Sequence, residues 1–526
     1  MTARRNAALV SIITCAGLIT AACTGSGTDA GGPASDKTFV LATSTDPGAL
    51  DPSMGASSAL FWASRFAYDT LVNSALDGTV QSGLASDWSQ DEEKVVFTIK
   101  DGITCSDGSA FTAATAAANI NFISDMENAS PMLGAFLPVG VTAEAEGSTL
   151  TLHTAEPAPF ILSGLSDLFM VCDAGLADRS TLAAATNGTG PYALTEAEPN
   201  DHYTYQIRDG YTWGPDGAAT DGSDMPGEVV IRVIENETTA ANLLLSGEVN
   251  AALIFGADSD RLDQAGLFSV SANSVIGEAW YNHAEGHVTS DPAVREALVK
   301  AVDLAELRQV LTSGKGTAPT TFATVDPVPC PGEVISANLP TFDLAAAQAV
   351  LEEAGWVPGA DSVRVKDGVR LKIVFIHDSA LGDPGAAAAE LARAAWVSAG
   401  FEVEQSQLPT DQVEPILFGS GAWDVMWEPI NISSPDQIVG FVSGPDIASG
   451  GTNFASIDNA GYVAKVASAM EQLGTAGCAT WLEAEAELVK ANDVTPFANN
   501  QVKLFGSGAE FGRVSTIMPT SIKMVG

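Results

Sequence analysis

Strand-type and helix-type segments alternate along most of this 526-residue chain, and that alternation restricts the body to the α/β class. Val95-Val96-Phe97-Thr98-Ile99, Val229-Val230-Ile231-Arg232-Val233-Ile234 and Lys372-Ile373-Val374-Phe375-Ile376 are rich in β-branched and aromatic side chains, which pack well on a pleated surface, and are read as strands. Helices announce their starts. Asp291 precedes Pro292, whose missing N–H is no loss at a first helical position, and Val294, Ala297, Leu298 and Ala301 then share one face. Asp303 is placed to cap the next helix. Asp343 is placed to cap one that turns Leu344, Ala347, Val350 and Leu351 inward and stops at Gly355. Charged residues on these helices, such as Arg295 and Glu296, are expected to face solvent. The Gly-, Pro- and Asp-rich stretch 210–227 reads as a long surface excursion between strands.

The N-terminus addresses the chain to the far side of a membrane. Arg4 and Arg5 form a short basic region, and a nearly unbroken apolar run follows from Ala7 to Ala22. A stable membrane-spanning helix needs about 20 apolar residues, so this run reads as a cleavable export signal over residues 1–22. Ala21-Ala22-Cys23, followed by Thr24-Gly25-Ser26-Gly27, resembles the bacterial lipobox, in which the cysteine becomes the lipidated first residue of the mature protein. Thr20 departs from the Leu, Val or Ile usual in that pattern, and secretion without lipid is the alternative. Residues 23–36, rich in Gly, Ser, Ala and Asp, cannot bury a core and read as a tether. The expected location is extracytoplasmic, at the outer face of a bacterial cell membrane.

Charge removes several partners. With 65 acidic and 24 basic side chains the formal net charge is −41, which repels nucleic-acid phosphates and anionic lipid headgroups. Cys15 lies in the signal and Cys23 at the anchor; Cys105, Cys172, Cys330 and Cys478 remain in the body. Their wide spacing, without a C-x-x-C, argues against a zinc or thioredoxin-type site, and an oxidising compartment favours two disulfides. Three connectivities are open, with free buried thiols as the alternative. No H-E-x-x-H, G-x-S-x-G or P-loop motif occurs, and Gly419-Ser420-Gly421 lacks the context of a nucleophile elbow, so neither an enzyme nor a bound cofactor is expected. His283-Ala284-Glu285-Gly286-His287 carries metal-ligand chemistry but no evident third ligand, and is read as a solvated loop.

Residues 37–526 are more than one hydrophobic core normally holds, so two or three domains are expected. A series of local signatures runs through them in order. It starts with Asp46-Pro47-Gly48-Ala49-Leu50-Asp51-Pro52, Tyr68-Asp69-Thr70-Leu71-Val72, Asp77-Gly78 and Gly83-Leu84-Ala85-Ser86-Asp87-Trp88. Phe97-Thr98-Ile99-Lys100-Asp101-Gly102-Ile103, Ser106-Asp107-Gly108 and Phe111-Thr112-Ala113 follow. Gly188-Thr189-Gly190-Pro191-Tyr192, Leu245-Ser246-Gly247-Glu248-Val249, Val294-Arg295-Glu296-Ala297-Leu298 and Glu352-Glu353-Ala354-Gly355 complete the set. Singly these are turn and core signals; in this order they resemble the family 5 solute-binding proteins, the peptide, nickel and oligosaccharide receptors of ABC importers.

The resemblance implies a two-lobed periplasmic-binding-protein-like fold (type II, cluster C) with an extra subdomain inserted in lobe one. Mapped here, lobe one takes 37–84, 188–276 and 495–526, the insert 85–187, and lobe two 277–494, with ligand held between the lobes by hinge closure. Pairing Cys105 with Cys172 and Cys330 with Cys478 keeps each disulfide within one such unit and is favoured on that ground. Partners implied are a small-molecule or peptide ligand and a membrane permease, with the receptor a monomer held to the membrane through Cys23.

Peptide receptors of the family hold the ligand ammonium with an Asp in a segment resembling Gly-Trp-x-x-Asp-x-x-x-Pro. The matching segment here is Trp427-Glu428-Pro429-Ile430-Asn431-Ile432-Ser433-Ser434-Pro435-Asp436, which puts neutral Asn431 at that position. Where some dipeptide receptors add a carboxylate-binding Arg, this chain has His377 and Asp378. A free dipeptide is thus a poor candidate. A longer peptide held through its backbone stands first, with an oligosaccharide stacked on Trp62 or Trp427, a cationic solute, or a sensor role as alternatives. The candidate ligand-binding residues are Thr45, Asp46, Trp62, Asn282, His377, Asp378, Trp427, Glu428, Asn431, Asn453 and Phe454, with no metal ligands.

Overall fold

The structure is a computed structural model that describes residues 35–525 except 56, 76, 77 and 256; the segment expected to be an export signal and Cys23 lie outside the described residues. Ten strands form one mixed sheet and are numbered here in chain order. They are β1 (Ser35–Thr43), β2 (Tyr192–Glu198), β3 (His202–Ile207), β4 (Pro226–Val233), β5 (Ala251–Ile254), β6 (Phe268–Tyr281), β7 (Lys372–Asp378), β8 (Glu402–Leu408), β9 (Val425–Trp427) and β10 (Val494–Gly506). Across the sheet they run β8-β7-β9-β6-β10-β5-β1-β4-β3-β2. β1 begins at Ser35, so Ser35 and Asp36, which composition assigns to the tether, belong to the sheet.

The pattern of pairing explains how two halves share one sheet. β1 is parallel to β4 and β5, and β7 is parallel to β8 and β9, the arrangement that helices covering both faces produce. Between the two parallel groups run the long antiparallel strands β6 and β10, paired from Phe268 opposite Gly506 to Trp280 opposite Val494. Their register breaks on both sides of Gly277. A Cβ at Gly277 would lie 2.5 Å from Phe497 Cε2 and 2.8 Å from Ala498 Cβ, so only glycine lets the strands approach there.

Apolar side chains alternate onto both faces of this sheet. Phe39, Leu41, Tyr205 and Ile231 enter a core on one side of the β1 half, while Ala42, Ala252 and Phe505 enter another. The β7 half has the same construction: Ile373, Phe375 and Trp427 face one core, Ile376 and Met426 the opposite one.

Residues 85–187 carry a separate four-stranded antiparallel sheet in the order Ala85–Gln90, Lys94–Ile99, Thr149–His153, Thr142–Glu146, packed on the helix Ala113–Ser124. Cys105 and Cys172 are bonded within that region, and Cys330 is bonded to Cys478 at the start of the helix Cys478–Lys490. These are the two pairs favoured from the sequence. Gly188-Thr189-Gly190 lies against the end of helix α1 (Ser58–Ala67), where a Cβ on Gly190 would stand 2.4 Å from the Ala67 carbonyl carbon. That contact gives the Gly-Thr-Gly-Pro-Tyr segment its composition.

The helix starts follow the sequence. Asp291 accepts from Ala293 N, Asp303 from Ala305 N and Glu306 N, and Asp343 from Ala346 N. Two expectations change. Arg295 is buried, donating to Thr289 O at 3.0 Å and to Asp493 at 3.3 Å, because its helix packs against the residues that lead into β10. The 210–227 stretch is anchored, since Tyr211 and Trp213 are buried and both donate to Asp69. No described helix is long and apolar enough to cross a membrane.

Candidate functional site

Helix α1 builds one wall of the cleft. Ser57 Oγ caps it by accepting from Leu60 N at 3.2 Å, which sets the phase of the residues that follow. Ser58, Phe61, Trp62 and Arg65, at i, i+3, i+4 and i+7, then fall on one face. The first three line a cavity of about 380 Å³. Phe136 and Asp167 join them from the region of the separate four-stranded sheet, Ser515 and Thr516 from the segment after β10, and Asp326, Asn431 and Ser433 close it from the other half. Residues from both ends of the β6–β10 pair thus face one space, of the size that holds a small ligand.

Much of the charge in this space is already matched. Asp167 Oδ1 accepts from Arg65 Nη2 at 2.6 Å and from Ser515 Oγ at 2.8 Å, and Arg65 Nε donates to Thr516 Oγ1 at 3.2 Å. Asp326 Oδ2 accepts from Asn273 Nδ2 of β6 at 2.9 Å. Hydroxyls, amides and three aromatic rings remain as the main lining.

Trp62 separates this cavity from a second one of about 330 Å³, which also shares Ser58. Thr43, Ile234 and Leu253 line that second space, at the carboxyl ends of β1, β4 and β5, where open α/β sheets hold ligands. A larger concavity of about 630 Å³ lies between Lys100, beside the separate four-stranded sheet, and Trp213. It has no lining from the β7 half, so closure of the two halves cannot enclose it.

The predicted residues separate into two groups. Thr45 lines the second cavity, Trp62 both, and Asn431 the first. The others are held elsewhere. Asp46 accepts from Gly48 N, Asn200 N and Tyr203 Oη; burial alone would raise its carboxyl, but these bonds hold it below the ordinary value. Asn282 donates to Trp423 O at 3.0 Å and accepts from Ala284 N at 3.0 Å, and Asn453 ties a loop together through Ile457 N and O. Phe454 packs on Trp280 with ring centroids 4.7 Å apart.

His377 and Trp427 are fully buried beside Phe375, and burial pushes the His377 imidazole down, toward its neutral form. Asp378 caps a short turn by accepting from Ala380 N at 2.7 Å, and the Glu428 carbonyl accepts from Trp280 Nε1 at 2.8 Å. In the His283–His287 segment the two imidazoles face different acids, Asp493 at 3.8 Å and Asp424 at 2.9 Å. Sequence reasoning missed Phe61, Phe136, Asp326 and Ser433. On α1, Phe61 lies three residues after Ser58 and four before Arg65, a same-face spacing; the rest come from loops with no periodic signal.

Residues 79–443 match the model of the bacterial extracellular solute-binding proteins, family 5 middle. The chain belongs to this family.

Among curated relatives of this family 5 protein is Protein XP55 of Streptomyces lividans, 26% identical over 394 residues, which cover 73% of this chain and 69% of that one. Solved structures with the same fold include a substrate-binding protein of Microbacterium hydrocarbonoxydans complexed with 4-hydroxybenzoate hydrazide. That match has a TM-score of 0.71 at 24% identity, over 93% of this chain and 100% of that chain. The oligopeptide-binding protein AppA of Bacillus subtilis, in complex with a nonapeptide, matches with a TM-score of 0.70 at 16% identity, over 94% of this chain and 100% of that chain. At these identities the structural likeness establishes the two-lobed family 5 fold and leaves ligand choice to the cleft itself.

Proposed function

We propose that this family 5 protein is a lipid-anchored extracytoplasmic receptor that captures a peptide between its halves and delivers it to an ABC permease. The observation that carries the reading is the cavity of about 380 Å³ lined from both halves, rich in hydroxyls and amides and walled by Phe61, Trp62 and Phe136. Such groups suit the carbonyls and amides of a peptide backbone, and the rings suit its side chains. The neighbouring cavity across Trp62 gives an extended ligand room to continue. AppA, with the same fold, holds a nonapeptide, which supports a peptide longer than two residues.

Asn431 argues further against a dipeptide clamped by its termini. Its amide is engaged with β6, accepting from Val275 N at 2.9 Å and donating to Val275 O at 3.2 Å, and it carries no charge for an ammonium. Trp62 also favours a second reading, an oligosaccharide stacked on its indole. Trp427 offers no such platform, because Phe375 and Phe497 cover it at 5.1 and 5.0 Å.

The test is a thermal-shift screen of residues 24–526 against peptides of increasing length and against oligosaccharides. Ligand at about 100 times its dissociation constant stabilises the bound state by about 2.7 kcal/mol, a readable shift. Longer peptides are expected to stabilise the protein and dipeptides not to. A response confined to sugars overturns the peptide assignment, and peptide uptake that survives deletion of the chain overturns delivery.

A further inference from the structure

We propose that the second cavity receives a basic side chain of the ligand, of the lysine or arginine class, so that the peptide captured is a cationic one; this rests on the reading of the cleft as a peptide site. The cavity, of about 330 Å³, lies at the carboxyl ends of β1, β4 and β5. Ile234 N donates to Thr43 O at 2.8 Å and joins the ends of β1 and β4 there, and Glu235, the next residue, lines the space. Asn236 then caps the helix Glu237–Ser246 by accepting from Thr239 N at 2.9 Å, which puts Glu237 in the first turn as a second acid of the lining. Leu41, Ala59, Ala240, Ala252 and Leu253 supply an apolar surface, and Trp62 and Phe255 supply two rings.

Charge and exposure set this space apart from the main cavity, whose Asp167 is already paired with Arg65. Among the described residues no Lys, Arg or His lines it, and no cation is paired with Glu235. Arg513 lies over the Trp62 ring at 5.7 Å but is not part of the lining. Phe255 is 58% exposed, with no ring or cation stacked on it among the described residues, and Thr43 Oγ1 is buried without a hydrogen-bond partner. The start of the helix Glu237–Ser246 would by itself attract an anion, but its equivalent of about +0.5 charge is outweighed by two carboxylates. A neutral apolar side chain would strip water from those carboxylates and return nothing. A lysine or arginine fits both parts: its aliphatic stem lies on the apolar surface while its charged head meets the acids and the bare ring.

Two measurements on wild type, Glu235→Gln and the double variant Glu235→Gln, Glu237→Gln test this. In the first, a pool of tri- to pentapeptides carrying one arginine is compared with the same pool carrying citrulline, which keeps the shape and lacks the charge. Wild type is expected to bind the arginine pool about tenfold more tightly, Glu235→Gln to narrow that ratio, and the double variant to bind both pools alike with its citrulline affinity unchanged. Wild type binding the two pools equally overturns the proposal, and so does a double variant that keeps the full preference or loses affinity for both pools together. In the second, melting is followed in agmatine, a guanidinium and an ammonium on one short chain, against sodium chloride at equal ionic strength. Agmatine is expected to raise the melting temperature of wild type more than that of the double variant, and equal shifts overturn the proposal. An agmatine difference with no binding of either pool upholds the cation cavity and instead removes the peptide assignment.

Discussion

Asn431 clasps Val275: its side-chain oxygen accepts from the Val275 N–H at 2.9 Å while its Nδ2 donates to the Val275 carbonyl at 3.2 Å. The same oxygen also accepts from Ser274 Oγ at 3.0 Å, the third bond of the side chain. A cleft residue is thereby fixed to β6 two positions before the register break at Gly277. Asn431→Asp keeps the acceptor but sets a carboxylate against the Val275 carbonyl. The expected result is a loss of about 1–3 kcal/mol in urea unfolding, with no gain in affinity for free dipeptides. Tighter dipeptide binding by this variant would show that the position works as an ammonium anchor after all.

Trp62 is nearly sealed, at 5% exposure, yet it borders both cavities. Trp62→Ala is expected to destabilise by about 3–5 kcal/mol, as large-to-small core changes do. Trp62→Phe separates the two roles. It should fold with a smaller loss while its ligand-induced thermal shift falls well below that of wild type.

Glu278 lies fully buried in β6, accepting from Ile430 N at 2.9 Å and from Trp280 Nε1 at 3.1 Å. Burial, reinforced by the charge of Glu428, pushes its carboxyl up from 4.5 to about 8. Because the folded state holds this proton more tightly than the unfolded chain, the associated stability is complete below about pH 4.5. It is lost as the pH rises toward about 8. Glu485, buried with a single hydrogen bond from Phe322 N, is raised to about 8 in the same way. Glu278→Gln can still accept both bonds. Its unfolding free energy should decline less between about pH 5 and about pH 8 than that of wild type, measured by urea titration at each pH.

The two disulfides close loops of different length, with sequence separations of 67 for Cys105–Cys172 and 148 for Cys330–Cys478. Replacing either pair by serines is expected to lower stability by about 2–5 kcal/mol, more for the longer loop in the chain-entropy view. Denaturant unfolding of the two double-serine variants checks the order.

Cys23→Ser tests the anchor without touching the described fold. In the native host the variant should move from the membrane fraction to the soluble extracytoplasmic fraction, with ligand binding unchanged. Equal distribution of variant and wild type would assign residues 1–22 to simple secretion.

Local chemistry made the framework legible. The caps at Asp291, Asp303 and Asp343 are where a short acceptor precedes an apolar periodic run, and such signals need no knowledge of the rest of the chain. Arg295 was unreadable because its partner Asp493 is 198 positions away. His377 and Trp427 have the residue types of a binding site, but strand alternation puts His377 on the same side as Phe375, toward the core. That period-two signal was available. The cleft beyond α1 was not, because Phe136, Asp326, Ser433 and Thr516 meet only when distant loops converge.

The position of β10 also bears on how the protein is made. This strand lies between β5 and β6 in space, yet it is drawn from residues 494–506, far downstream of both in the chain. Until it arrives, β5 and β6 cannot be joined into one sheet, and the segment bearing Val514, Ser515 and Thr516 is missing from the cleft. A chain of this topology cannot complete its central sheet until β10 has been made, so the cleft cannot form from β1 to β6 alone.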